Sequence, residues 1–132
     1  MEYLKSFAVA FFSFLILDGI WLGLIVKDFN MRHLSEIGRF ENGVMKVDYL
    51  PAALVYVLLA VAVNFFVVSK TSIETPIYFT FLSGALLGLI VYGVYDLTNL
   101  AILKNYPVQF ALVDMAWGTF VFGVVSVISV KI

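Results

Sequence analysis

Four stretches of the chain are apolar on every face, and so few polar residues interrupt them that each can be named. The first runs from about residue 5 to 26, with Asp18 as its only ionisable interior residue. The second opens at Pro51 and continues to about residue 69. The third starts near Pro76, stays apolar to Tyr95 and carries on through Asp96, Leu97, Thr98 and Asn99 to about residue 103. The fourth follows Pro107 and covers about 108 to 130. Proline suits the first turn of a helix, where the N–H it lacks needs no partner. Each stretch reaches the roughly 20 residues with which a helix crosses a hydrocarbon core of about 30 Å. Barrel strands would alternate polar and apolar positions, and these runs do not. A cleaved leader is also excluded for the first run, because no small-x-small site follows Phe7 to Leu17 and Trp21 to Val26 prolongs it to spanning length. The expected fold is all-α: a polytopic integral membrane protein, one domain over residues 1–132, with four transmembrane helices in an antiparallel bundle.

The connections are uneven. Residues 27–50 form the only long one, where Leu34, Ile37, Phe40 and Val44 recur at helical spacing before Asn42-Gly43 signals a turn. This pattern predicts a short amphipathic helix in the membrane interface, with an ordinary solvated loop as the alternative. Charge does not orient the bundle. The first and third loops carry Lys27, Arg32, Arg39, Lys46 and Lys104 against Lys5, Lys70 and Lys131 on the other side, a bias that would put both termini outside but is diluted by acids in the first loop.

Composition agrees with the pattern. Of 132 residues 63% are hydrophobic and 13% charged, and the mean hydropathy is +1.04, so the chain must be solvated largely by lipid. A net charge of -1 leaves no basic field for a nucleic-acid backbone. The absence of cysteine removes thiolate chemistry and disulfides. A single histidine, His33 in the first loop, excludes a histidine-rich metal site and paired-histidine haem ligation within the chain.

An up-and-down bundle brings the end of the first span, the end of the third and the start of the fourth to one side. Asp18 then lies about 13 Å deep, counted from Lys27; Asp96 about 12 Å, from Lys104; Asp114 about 10 Å, from Pro107. A carboxylate facing lipid at such depth costs on the order of 3 kcal/mol or more, so the three should face one another, water or a partner inside the bundle. There they are expected to form one coupled site sharing a proton. Gly84, Gly88, Tyr92 and Asp96 recur every fourth residue and make one inward ridge, small-xxx-small at its start and acidic at its end. Gly19 and Gly23 offer a second small-xxx-small surface beside Asp18. Trp21 and Trp117 each follow an acid by three residues, where an indole N–H can reach an acceptor on a neighbouring helix; a place in the interfacial aromatic belt is the alternative. Asp18 with Lys27 and Asp96 with Lys104, together with similar segments after Pro51 and Pro107, also hint at two tandem helix pairs.

The stretches Leu17-Asp18-Gly-Ile-Trp21-Leu-Gly23, Pro51-Ala-Ala-Leu-Val-Tyr56, Tyr92-Gly-Val-Tyr95-Asp96-Leu-Thr-Asn99-Leu-Ala-Ile-Leu-Lys104 and Asp114-Met-Ala-Trp117-Gly118 resemble a family of small bacterial inner-membrane proteins known only as a domain of unknown function. The resemblance spans the whole chain. It implies a multi-pass protein of the bacterial inner (cytoplasmic) membrane and a shared role for Asp18, Trp21, Asp96, Asn99, Asp114 and Trp117; it implies no reaction. The polar run of Tyr92, Tyr95, Asp96, Thr98 and Asn99, the densest at membrane depth, makes Tyr92 a further candidate.

Three functional readings stay open. The carboxylate cluster could serve a permease-like or binding protein that holds a proton, a cation or a polar head group; a lipid-metabolism enzyme or accessory factor using it for acid–base work; or a structural protein whose acids join helices. No cofactor or metal is assigned. The partners expected are membrane lipid, a second copy of the chain and an unidentified small molecule or ion, and not nucleic acid.

Overall fold

The computed structural model describes residues 2–25, 28–29, 40–41, 44–45 and 48–132. Four helices in it are long and apolar enough to cross a membrane. Helix α1 spans Glu2–Ile20 and runs on as a π-helical turn over Trp21–Ile25. Helices α2 (Tyr49–Phe66), α3 (Ile77–Ile102) and α4 (Val108–Lys131) follow. The three prolines mark starts: Pro51 lies in the first turn of α2, and Pro76 and Pro107 immediately precede α3 and α4, their carbonyls accepting from the N–H groups of Thr80 (3.2 Å) and Ala111 (3.1 Å).

A 3-10 turn over Val68–Lys70 follows α2, where the Lys70 N–H donates to the Val67 carbonyl at 3.1 Å, Thr71 Oγ1 to the same carbonyl at 3.0 Å and Ser69 Oγ to that of Phe65 at 2.5 Å. The turn into α3 is tied to the far end of α4 by Lys131 Nζ, which donates to the Ile73 carbonyl at 2.6 Å. In the long first connection, β1 (Phe40–Glu41) pairs antiparallel with β2 (Val44–Met45), in the register Phe40 to Met45 and Glu41 to Val44. The stretch over which the interfacial helix is expected lies mostly outside the described residues, as does His33. Phe40 and Val44, its last two apolar positions, stand in the strand pair.

Packing is unequal. Helices α3 and α4 meet along their whole length, α1 lies against α4 and α2, and α2 and α3 scarcely touch. The core is built by Ala10 and Phe14 of α1, Leu59, Ala60 and Val63 of α2, and Val121, Phe122 and Val125 of α4. From α3 come small residues instead. A methyl group at Gly84 would collide with Ser126 and the Phe122 carbonyl, and one at Gly88 with the Gly118 carbonyl and the Phe122 side chain. Backbones that approach this closely gain dispersion contacts, the main source of helix association where lipid is as apolar as the protein. The outward faces, such as Phe12, Ile16, Leu58 and Leu86, are exposed and suited to acyl chains.

Candidate functional site

The last turn of α1 supplies the site's first side chain. Asp18 is 6% exposed and points into the bundle. It accepts a 2.6 Å hydrogen bond from Trp117 Nε1 of α4, and the Tyr56 hydroxyl of α2 is also within hydrogen-bonding reach. Trp21 lies flat on Trp117, their ring centroids 4.3 Å apart and their planes 2° from parallel. A wider turn at Trp21–Ile25 accompanies this placement, as π-turns often do where a side chain must be re-aimed.

Gly19 and Gly23 do not form the packing surface expected of them. Among the described residues, a Cβ at either would meet nothing within 4 Å. The reason is rotational: with Asp18 held inward by Trp117, the next residue is turned about 100° away, and Gly23 lies in the widened turn with an open face. The ridge on α3, by contrast, does face its neighbour. Gly84, Gly88 and Asp96 are buried, and the Tyr92 ring covers Gly118, where a methyl group would strike it.

Asp96 ends that ridge and is completely buried. Its Oδ1 accepts a 2.7 Å hydrogen bond from the hydroxyl of Tyr106, itself only 8% exposed. Tyr106 precedes Pro107, and a residue in that position is driven out of helical conformation; here its ring folds back under α3. The Asn99 side chain reaches the same hydroxyl. Burial, with the adjacent Asp96 carboxyl, pushes the Tyr106 phenol above the ordinary tyrosine range, and Asn99 pulls the other way. Tyr106 therefore stays a donor at any physiological pH. Among the described residues Asp96 Oδ2 has no hydrogen-bond partner, and the Asp114 carboxyl is a neighbour of Asp96.

Asp114 leads out of this buried layer. Together with Asp18 and Trp117 it floors a cleft of ≈ 420 Å³, walled by Ala52, Val55, Tyr56 and Leu59 of α2 and by Val91, Tyr92 and Tyr95 of α3. The cleft lies where α2 and α3 barely meet, and its walls are apolar or phenolic. None of the described residues lining it is cationic, and Lys104 is exposed rather than turned in.

Of the residues singled out in the sequence, Asp18, Trp21, Tyr92, Asp96, Asn99, Asp114 and Trp117 gather at one level of the bundle. Asp96 and Asp114 are adjacent, whereas Asp18 stands across the cleft floor. Among the described residues no group of three His, Cys, Asp or Glu side chains converges closely enough to hold a metal ion. Tyr56 and Tyr106 join the site without being expected there. Their signals in the sequence are slight: Tyr56 closes the Pro51 segment, and Tyr106 stands just before Pro107.

Fold and site together define a multi-pass α-helical membrane protein with carboxyl groups buried in its bundle. Over residues 3–131 the chain matches the family described as "Predicted membrane protein (DUF2177)", and it belongs to that family. No curated protein and no solved structure matches it.

Proposed function

We propose that this protein binds the polar head group of a membrane-dissolved amphiphile in the cleft between α2 and α3, within a bacterial inner membrane. One observation carries the reading: carboxyl groups sit at the floor of a cleft whose walls are apolar and lie where two spans scarcely touch. Such a cleft can take an acyl or prenyl chain along its walls while the floor fixes the head, as small-molecule sites generally combine apolar walls with a few placed polar groups. Among the described residues the floor offers acceptors, Asp18 and Asp114, and no cation. A head group bearing hydroxyl or ammonium donors fits it, and a phosphate does not. The buried Phe14 and Phe122 rings, 5.1 Å apart, close the bundle beyond the site and favour binding over passage across the membrane.

The chain's two tryptophans both stand at this site, so their fluorescence reports on it. Amphiphiles with brominated tails, namely a diacylglycerol, a long-chain amine and a phosphatidic acid, would be titrated into reconstituted protein. Saturable quenching is expected for the first two and not for the phosphatidic acid, with saturation lost in Ala52→Phe, which narrows the cleft. Equal, non-saturating quenching by all three in both proteins would refute the reading.

A further inference from the structure

A second cavity, of ≈ 470 Å³, opens at the other end of the bundle, on the face that carries the start of α1 and the ends of α2 and α4. Ser129, which lines it, stands fifteen residues after Asp114 on α4, about 22 Å from the acid layer. The described side chains around this cavity are of two kinds. From α1 come the Lys5 ammonium and the Ser6 hydroxyl, and from α4 the hydroxyl of Ser129. Ser129 is 4% exposed, and among the described residues its Oγ has no hydrogen-bond partner. A buried hydroxyl left in that state costs free energy that a ligand oxygen would recover. Lys131 adds a second cation at the rim, held there by its bond to the carbonyl of Ile73, itself a lining residue. The turn after α2 contributes Ser69 and Thr71 instead. Each gives its hydroxyl hydrogen to a helix carbonyl, that of Phe65 or Val67, so to a ligand each can only be an acceptor. No acidic side chain is among the described residues that line the cavity.

We propose that this cavity binds the head group of a membrane phospholipid, with the phosphate on Lys5, Ser6 and Ser129 and a hydroxyl or ammonium of its outer arm on Ser69 and Thr71. The polarity of the helices runs the same way. Helix α1 begins here, and its N-terminal end favours an anion; α2 ends here, and its C-terminal end favours a cation or a donor. Lysines near the ends of spans reach for the interface, the level at which lipid phosphates lie, and basic pockets between spans are where such head groups are held. Val68, Ile73 and Val130 supply an apolar remainder suited to the glycerol and the first methylenes of the chains. A free phosphate ion would use the donor side alone and leave the acceptors and the apolar wall without a partner. In character the cavity is the reverse of the cleft, whose floor has acceptors and no cation among the described residues, and the two sites are independent.

The full chain, immobilised in detergent, would be equilibrated with radiophosphorus-labelled phosphatidylglycerol, phosphatidylethanolamine or phosphatidylcholine, or with labelled inorganic phosphate, and the bound label counted. Saturable binding of the first two is expected. Phosphatidylcholine, whose choline has no hydrogen to donate, should bind about tenfold more weakly, and inorganic phosphate should not saturate in the same range. Lys5→Gln should weaken both favoured lipids about tenfold, and Lys5→Arg should retain them. Ser129→Ala should weaken them about fivefold yet melt no lower than the wild type without lipid, because its Oγ bonds none of the described residues. A hydroxyl with a purely structural role would do the reverse. Ala52→Phe, which narrows the cleft, should leave these isotherms unchanged. Equal binding of the three lipids, or binding indifferent to both Lys5→Gln and Ser129→Ala, would overturn the proposal. Saturation by inorganic phosphate at the same concentrations as the lipids would overturn it too, by assigning the cavity to the free ion.

Discussion

At the residue scale the Trp117 indole on Asp18 joins the first span to the last. Phenylalanine at 117 keeps most of the stack on Trp21 but leaves a buried carboxyl without its 2.6 Å donor. Trp117→Phe should therefore cost about 1–3 kcal/mol, the desolvation penalty of an unsatisfied polar group, measured as a lowered melting temperature in detergent. Tyr106 supplies a pH signature. Its raised phenol contributes stability that is fully present below the ordinary tyrosine value near 10. Above that value the unfolded chain releases the proton while the folded one retains it, so stability is lost as pH rises. Melting curves from about pH 8 to about pH 12 should fall more steeply for the wild type than for Tyr106→Phe. Parallel curves would mean that Tyr106 titrates as in the unfolded chain.

Among the elements, the α3–α4 pair is the rigid unit, and its glycines are not interchangeable with those of α1. Gly88 faces the Gly118 backbone, which cannot move aside as a flexible side chain would. Gly88→Ala should destabilise by about 1–3 kcal/mol through overpacking. Gly19, where an added methyl group would meet none of the described residues within 4 Å, should tolerate alanine or gain about 0.5–1 kcal/mol from reduced backbone entropy. The same detergent melts decide both, and equal effects at the two positions would remove the distinction. In the sequence the two glycine pairs look alike, since both show the same four-residue spacing. What separates them is helix rotation, fixed by the Trp117–Asp18 bond and by the π-helical turn, neither of which leaves a mark in the spacing.

Taken whole, the bundle is tight on one side and open on the other. Few contacts join α2 to α3, so the cleft width should vary more than any spacing inside the α3–α4 pair. The chain has no cysteine, which makes site-directed spin labelling direct. Labels at Val55 and Val91, on opposite walls of the cleft, should give a broader distance distribution than a pair placed across α3 and α4. A bound long-chain amine should narrow it. Two equally narrow distributions without any amphiphile would contradict an adjustable cleft.

That this chain lives in a membrane, crosses it four times and keeps its acids inside the bundle is legible in the order of its residues. Those conclusions depend on the length of apolar runs and the cost of charge in hydrocarbon, which are local or additive quantities. The common depth of Asp18, Asp96 and Asp114 is legible too, because helical rise is constant along each span. The packed structure was needed to show which acid pairs with which, that Tyr56 and Tyr106 join them, and that a cleft opens between α2 and α3. Depth is one coordinate; rotation about each helix axis and the choice of neighbour are set by packing between segments far apart in the chain. Four uniformly apolar helices carry almost no record of that choice, because lipid and protein interior reward the same side chains.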